Sequence, residues 1–148
     1  MTMMVYQTNE CVFPVDDAFQ DRTINVLSLK EDGPSEFSLV VSRDALEVGD
    51  TLEGYVARQM QVLGSRTMVL KVHGQQKITV DKQQAIQTDF SWKIPEGVMF
   101  QRQVAVLVPR RGLAAQQIMI FTGTARDKLP DRWAASLEET LSNLHFKR

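Results

Sequence analysis

The sequence predicts an α+β fold, in which a mostly antiparallel sheet of about six or seven strands is accompanied by two flanking helices. Most apolar segments between residues 24 and 122 alternate with a period of two, as the residues of strands do. Two other segments place apolar residues at helical spacing. The segments of the first kind are mostly joined by short turn sequences, which favours antiparallel pairing.

The composition predicts one globular domain over residues 1–148. The chain is 43% hydrophobic and 24% charged, and neither a repeat nor a Pro/Gly-rich linker divides it. Its formal net charge is -1, so it lacks the basic excess that nucleic-acid binding usually requires. We therefore expect no nucleic-acid partner.

The first half of the chain predicts a hairpin followed by a helix. Ile24–Leu29 and Phe37–Ser42 alternate as strands, with a turn at residues 32–34 between them. The helix is expected from Asp50, as its N-terminal cap, to Gly64, as its stop. Its apolar face comprises Leu52, Tyr55, Val56, Met60 and Leu63.

The second half predicts further strands and a closing amphipathic helix. Turns are expected at Gly74–Gln76, Pro95–Gly97 and Pro109–Gly112. The helix is expected over Pro130–Phe146, with Trp133, Leu137, Leu141 and Leu144 on its apolar face. The predicted strands are Met68–Val72, Lys77–Val80, Ile86–Trp92, Val98–Val108 and Ala115–Thr122.

Several sequence features bear on the cellular setting. Cys11 is the only cysteine, which excludes an internal disulfide and favours a reducing compartment. The first residues lack the basic and apolar regions of a secretion signal, and no apolar run is long enough to span a membrane. We therefore expect a cytoplasmic protein that is not itself inserted in a membrane, with no metal and no cofactor.

The sequence offers no group of residues arranged for catalysis. The two histidines have no motif neighbours: His73 is expected in an exposed turn and His145 at the end of the last helix. Adjacent carboxylates, as in Asp16–Asp17 and Glu138–Glu139, do not face each other on a helix or a strand. We therefore predict that the protein is not an enzyme.

The first predicted hairpin is apolar on both of its faces. If Leu27 and Leu29 face the core, alternation directs Ile24 and Val26 to the opposite face, where Val40 joins them from the partner strand. One interpretation is that helices cover both faces of the sheet. The other is that this second face is an open apolar surface, of the kind that binds a partner.

Two glutamines stand among apolar positions. Gln59 falls in the middle of the apolar face of the first helix, and Gln103 lies inside the longest predicted strand. A buried amide needs a hydrogen-bonding partner. Each glutamine is therefore either bonded within the protein, placed at an edge, or available to a bound partner.

The sequence resembles the Eag chaperones of bacterial type VI secretion, which are related to the DcrB family. No single segment is a strong signature, but the order and spacing of six segments are fairly specific. They are Phe13–Pro14, Asp21–Val26, Val40–Asp44, Tyr55–Gln59, Arg102–Val104 and the region of Trp133. The sequence departs from the family pattern at Phe19, where tryptophan is expected, and it matches weakly over Met68–Asp89.

The resemblance implies a PsbP-like α/β sandwich and a homodimeric cytosolic chaperone. Its concave apolar groove would hold the N-terminal transmembrane helices of an effector until the effector is loaded on the secretion spike. The groove positions of the family correspond here to Ile24, Val26, Val40, Gln59 and Gln103. Two alternatives stay open: a binding module of the same fold for a lipid or a soluble protein, and an enzyme assembled from scattered residues.

Overall fold

Eight strands and two helices follow one another in the described part of the computed structural model, which comprises residues 2–32, 35–110, 112 and 114–147. The predicted turns at residues 32–34 and 109–112 lie partly outside the described residues. The elements are β1 Met3–Gln7, β2 Val12–Asp16, β3 Asn25–Ser28, β4 Ser38–Ala45, α1 Leu52–Arg66, β5 Met68–Val80, β6 Gln83–Ile94, β7 Gly97–Leu107, β8 Gln117–Arg126 and α2 Asp131–Ser142.

The main sheet has six strands in the order β3-β4-β8-β7-β6-β5, and each neighbouring pair is antiparallel. The other two strands, β1 and β2, form a separate antiparallel hairpin. The sequence analysis did not predict this hairpin. Its strands carry Pro14 and are short, two features that weaken a strand pattern.

Helix α1 is capped by Thr51 and not by Asp50 as predicted. The Thr51 hydroxyl accepts a hydrogen bond from the Gly54 amide at 3.0 Å, which satisfies one of the free N–H groups of the first turn. Asp50 instead pairs with Arg58, and this hydrogen bond lowers the pKa of the Asp50 carboxyl below its ordinary value. The predicted stop at Gly64 is also wrong, because the helix continues to Arg66.

Helix α2 ends at Ser142, earlier than predicted. Pro130 precedes its first residue, and Leu144 and His145 lie in a tail after the helix instead of in its last turn. The Phe146 amide donates a hydrogen bond to the Asp81 carboxylate at 2.8 Å, which fixes the tail to the turn between β5 and β6.

Strand β5 is continuous from Met68 to Val80, so the turn predicted at Gly74–Gln76 is wrong. Two shifts in its register against β6 mark bulges, one of which contains His73. The His73 ring is exposed, lies 2.7 Å from the Ser91 hydroxyl and stacks on Phe100. At the other bulge, Val69 adopts a φ of 51°, which is unusual for a β-branched residue.

Apolar clusters lie on both faces of the sheet. On one face, Leu137 and Leu141 of α2 pack with Val41, Phe121 and Val104. On the other face, the first turns of α1 pack with Ile86, Ala105, Ile118 and Ile120. The interpretation that helices lie on both faces is thus correct, but α1 covers only part of its face.

Candidate functional site

A row of side chains crosses the α1 side of the sheet beyond the residues that the first turns of α1 bury. Residues directly opposite one another in antiparallel strands share a face, so the register defines the row strand by strand. From β3 to β5 the row consists of Val26, Val40, Thr122, Gln103, Thr88 and Gln75. We call this set the central row.

The predicted site residues Val26, Val40 and Gln103 belong to this single row. They are 77 positions apart at most in sequence, and only the strand order β3-β4-β8-β7 brings them onto one line. Ile24 directly precedes β3 and is 61% exposed, while Val26 is 66% exposed. Val40 and Gln103 are half-buried.

The fifth predicted residue, Gln59, lies on α1. It follows Tyr55 by four residues and Val56 by three, so it lies on the same side of the helix as these two buried residues. Unlike them, Gln59 is exposed. Helix α1 therefore contacts the sheet tightly through its first half, whereas the corresponding side of its second half is largely open.

The contacts of Tyr55 explain why the first half of α1 is fixed. The buried Tyr55 ring packs with the apolar cluster below α1, and its hydroxyl donates a hydrogen bond to the Asp44 carboxylate of β4 at 2.8 Å. Burial, and then the Asp44 carboxylate, raise the pKa of the Tyr55 hydroxyl, which keeps it protonated as a donor. The start of α1 is thus tied to the end of β4.

The glutamines on this face differ in their hydrogen bonds. Gln101 donates to the Thr124 hydroxyl at 2.9 Å, and Gln75 donates to the Thr88 hydroxyl at 3.1 Å. The side chain of Gln103 lies between Thr88 and Thr122 in the central row, yet it makes no hydrogen bond to any described residue. Its half-buried amide is therefore available to a bound partner.

Sequence reasoning missed the hydroxyl residues of this surface. Thr122 and Thr88 flank Gln103 in the central row. The next row on the same face contains Ser28, Ser38, Thr124 and Gln101. Alternation assigns each residue to a face, but only the register shows that these small polar side chains lie between the apolar ones.

The side chains of the central row are all uncharged. The row combines apolar, hydroxyl and amide side chains, none of which titrates near neutral pH. Among the described residues, no group of three or more His, Cys, Asp and Glu side chains is placed to hold a metal ion. Neither helix of the described chain has the length and apolarity to cross a membrane.

A polar cavity of about 410 Å³ lies on the opposite face, between α2 and strands β5 and β6. Arg102 and Glu138 are among its lining residues. The Arg102 guanidinium donates two hydrogen bonds of 2.8 Å to the Asp89 carboxylate, and this pairing raises the pKa of Arg102. Because Asp89 already neutralises the charge of Arg102, this cavity is less suited to bind an anion than a cavity with an unpaired arginine would be.

The architecture defines the class of fold. The solution structure of CyanoP, the cyanobacterial PsbP from Synechocystis sp. PCC 6803, matches 98% of this chain and 92% of its own length with a TM-score of 0.52. The sequence identity is 15%, so this likeness establishes the fold alone. The predicted PsbP-like α+β fold is confirmed.

The family follows from the sequence. The DcrB family model matches residues 10–143, and the chain belongs to the DcrB family. Effector EagT6 of Pseudomonas aeruginosa strain PAO1 is 31% identical over 105 residues, which are 70% of this chain and 73% of that protein. The predicted relationship to the DcrB-related Eag proteins is thus confirmed.

A solved structure resembles nearly the whole chain. The crystal structure of PA94 from Pseudomonas aeruginosa, described as a protein of unknown function, matches with a TM-score of 0.78 and 26% identity. The match covers 99% of this chain and 98% of PA94, so it includes the N-terminal hairpin as well as the main sheet.

Proposed function

We propose that this protein is a cytoplasmic chaperone that shields the N-terminal transmembrane helices of a type VI secretion effector. The single observation that carries the proposal is the central row. It places the apolar side chains of Val26 and Val40 in line with the Gln103 amide, which has no hydrogen-bond partner among the described residues, on a part of the sheet that α1 leaves open. The relationship to EagT6 supports the same class of function.

A transmembrane helix that is in water exposes apolar side chains over its whole surface. Its backbone groups are hydrogen-bonded internally, but its apolar side chains aggregate when they are not covered. Val26, Val40 and Ile24 can cover such side chains, since each Å² of apolar surface removed from water contributes about 25 cal/mol. The amides of Gln103 and Gln59 can hydrogen-bond to polar groups of the guest helix, as neighbouring membrane helices do.

The hydroxyl residues fit the same guest. Thr122 and Thr124 are short side chains, so a helix can approach the sheet closely between the larger apolar residues. Small residues permit close approach at contacts between membrane helices for the same reason. The surface is therefore adapted to a helix and less well to an extended chain, which would need a free strand edge.

Two further features belong to the proposal. The protein would act as a homodimer, because the open part of one sheet is too narrow to surround a helix of about 20 residues. The effector would then carry the chaperone to the secretion spike. The Eag relationship supports both features.

The proposed activity is binding, without catalysis. The central row has no nucleophile paired with a base, and both histidines lie away from it, His73 against Ser91 and His145 near Asp81. A small lipid or a soluble protein is the alternative guest of the same surface. Binding of either of these guests would not require an effector with hydrophobic segments.

Co-expression tests the proposal directly. The protein is produced with a type VI effector that has N-terminal hydrophobic segments, and the two are purified without detergent. We expect a stable complex, and we expect none with the same effector lacking those segments. Capture of the truncated effector to the same extent would contradict the proposal and favour a soluble surface as the target.

A further inference from the structure

Helix α2 leaves part of its own side of the sheet uncovered. Leu27 of β3 faces this side, opposite Leu39, yet it is 57% exposed. The sequence analysis expected Leu27 and Leu29 in the core. Both are exposed, because β3 is the edge strand and α2 packs over Val41 and Phe121 instead. The helix therefore does not cover the β3 edge of this side.

An apolar cavity of about 470 Å³ lies on the same side, between β8 and the tail that follows α2. Met119 of β8 and Val108 line it from the sheet. Leu144 and Phe146 of the tail line it from the other side, and the bond from the Phe146 amide to Asp81 holds the tail in place. Sites for small molecules have volumes of about 300 to 1,000 Å³, so this cavity is large enough to hold one.

A second cavity, of about 520 Å³, meets the first where β4 approaches the tail. Both cavities are lined by Asp21, Arg43 and Lys147. The other residues of the second cavity come from the N-terminal hairpin and from the start of β3, and all of them are polar. A molecule in the apolar cavity would thus meet charged and polar groups at the junction of the two cavities.

Arg43 is held at this junction by uncharged groups. It lies opposite Met119 in the register, and its Nη1 donates to the Thr23 carbonyl at 3.0 Å and to the Asn25 side-chain oxygen at 2.8 Å. Among the described residues it makes no ion pair with a carboxylate. A guanidinium has five N–H donors, so Arg43 keeps both its charge and several donors for a bound anion.

The nearby carboxylate of Asp21 is bonded to other groups. Its Oδ1 accepts hydrogen bonds from the Thr23 amide at 2.9 Å, from the Tyr6 hydroxyl at 3.2 Å and from the Thr23 hydroxyl. These bonds, with that of the Thr23 hydroxyl first, lower the pKa of Asp21 and keep it ionised. Asp21 is therefore stabilised mainly by neutral donors and not by direct contact with Arg43.

The apolar cavity has an excess of positive charge. Arg43 and Lys147 contribute two positive charges and Asp21 one negative charge, which leaves one positive charge when His145 is counted as neutral. Glu10 lines the second cavity only. A positively charged end and an apolar interior together favour a guest that is anionic at one end and apolar over the rest.

We propose that this cavity binds a small amphipathic carboxylate, with its anionic group at Arg43 and its apolar chain against Met119 and Leu144. The planar guanidinium of arginine matches the geometry of a carboxylate, and burial of the chain removes apolar surface from water. The site lies on the opposite side of the sheet from the central row. The inference therefore does not depend on the proposed function.

Calorimetric titration with decanoate, below the concentration at which it forms micelles, tests the proposal. We expect saturable binding of one decanoate per chain. Butanoate has the same head group with a short chain, and decyltrimethylammonium has the same chain with a positive head group, so both should bind at least about tenfold more weakly. No binding of decanoate, binding without saturation, or equal binding of either control compound would overturn the proposal.

Variants locate the site. Arg43→Gln should raise the dissociation constant of decanoate about tenfold, because a charge-assisted hydrogen bond is lost. Lys147→Gln should raise it about threefold, and this exposed tail position keeps the test valid if Arg43→Gln does not fold. Arg126→Gln is the control, since Arg126 is an exposed arginine of β8 that lines neither cavity. Equal affinities of the Arg43, Lys147 and Arg126 variants would overturn the proposal.

Two further measurements separate this site from other surfaces. Val40→Asp, in the central row, should bind decanoate as the wild type does, and loss of binding in this variant would overturn the proposal by placing decanoate on the central row. Retention by vesicles of phosphatidylcholine and phosphatidylglycerol, without binding of dissolved decanoate, would overturn it in favour of a membrane surface. Failure of the proposed function would appear separately, as lost effector capture by a protein that still binds decanoate.

Discussion

Two neighbouring rows of the same strands have opposite surroundings. Val41, Phe121 and Val104 are aligned across β4, β8 and β7, and all three are buried under α2. One residue along each strand, Val40 and Gln103 belong to the central row and are only half-buried. A shift of one position thus separates a sealed core from an open surface.

One sheet can form both the hydrophobic core and a candidate binding surface. Over these three strands the α2 row is apolar, because Val41, Phe121 and Val104 are removed from water, whereas the row continues in β6 as Gln87. Over the same three strands the central row mixes the apolar Val40 with the polar Thr122 and Gln103, all of them half-buried, as expected of a surface that a guest covers, whereas Thr88 in β6 is only 1% exposed. The mixture of polar and apolar side chains in the central row can therefore be recognised only when the pairing register of the strands is known.

The largest expected effect comes from placing a carboxylate in the α2 row. Val41→Asp should cost several kcal/mol, comparable to the whole stability of a domain, because the charge has no partner there. Val40→Asp should leave the melting temperature nearly unchanged and abolish effector capture. Thermal melts and detergent-free capture check both variants. Unfolding of Val40→Asp would show that this position is also part of the core.

A smaller effect is expected from truncating one aromatic side chain. Phe121→Ala should lower the free energy of unfolding by about 3 to 5 kcal/mol, since it removes a buried ring and leaves a cavity. Its neighbour on the other face, Thr122, is the matched control, and Thr122→Ala should change stability by about 0.5 kcal/mol or less. Denaturant titration measures both. Equal losses would contradict the proposed difference between the rows.

The glutamines should affect binding more than folding. Substituting both Gln59 and Gln103 by alanine should leave the melting temperature unchanged. Each lost hydrogen bond to the guest is worth about 0.6 to 2 kcal/mol, so effector affinity should fall about threefold to thirtyfold per residue.

Gln101→Ala is the control for this pair, because the Gln101 amide is already bonded to Thr124. It should lower stability slightly, by about 1 kcal/mol, and should lower effector affinity less than the loss of Gln59 and Gln103 does. A lower melting temperature of the double variant with unchanged capture would instead assign Gln59 and Gln103 a structural role.

The smallest effect is expected at Trp133 on α2. Its ring stacks on Phe37 with centroids 5.4 Å apart, while its buried Nε1 has no hydrogen-bond partner among the described residues. Trp133→Phe keeps a ring in the stack and removes the unsatisfied donor, two changes that largely offset each other. We expect a change in unfolding free energy within about 1 kcal/mol. A loss above about 3 kcal/mol would indicate an unseen partner of Nε1.

Periodicity predicted much of the main sheet and both helices, because most of their residues alternate or repeat at regular spacing. It was wrong where a bulge or the position of a strand in the sheet differs from what the local sequence pattern indicates. In β5, Gly74 follows a bulge inside a continuous strand, although glycine and two glutamines resemble a turn. At β3, Leu27 has the spacing of a core residue, but no pattern within a strand shows that the strand lies at an edge.

The candidate site was predictable only in part. Alternation placed Val26 and Val40 on one face, and the helix face and the strand pattern singled out Gln59 and Gln103; the family resemblance then assigned all four to one groove. Neither showed that Gln103 is aligned with the two valines while Gln59 lies on the helix beside them. That alignment depends on the order in which distant strands pair, which no local segment encodes.

The irregular β5 edge affects how copies of the protein can associate. A free strand edge is a template for adding further strands, and long, flat edges promote polymerisation. The two bulges of β5, together with Lys71 and Lys77, interrupt that template along its thirteen residues. Strand addition is therefore disfavoured at this end of the sheet, so a protein with a partly open sheet face can remain dispersed instead of growing into fibrils.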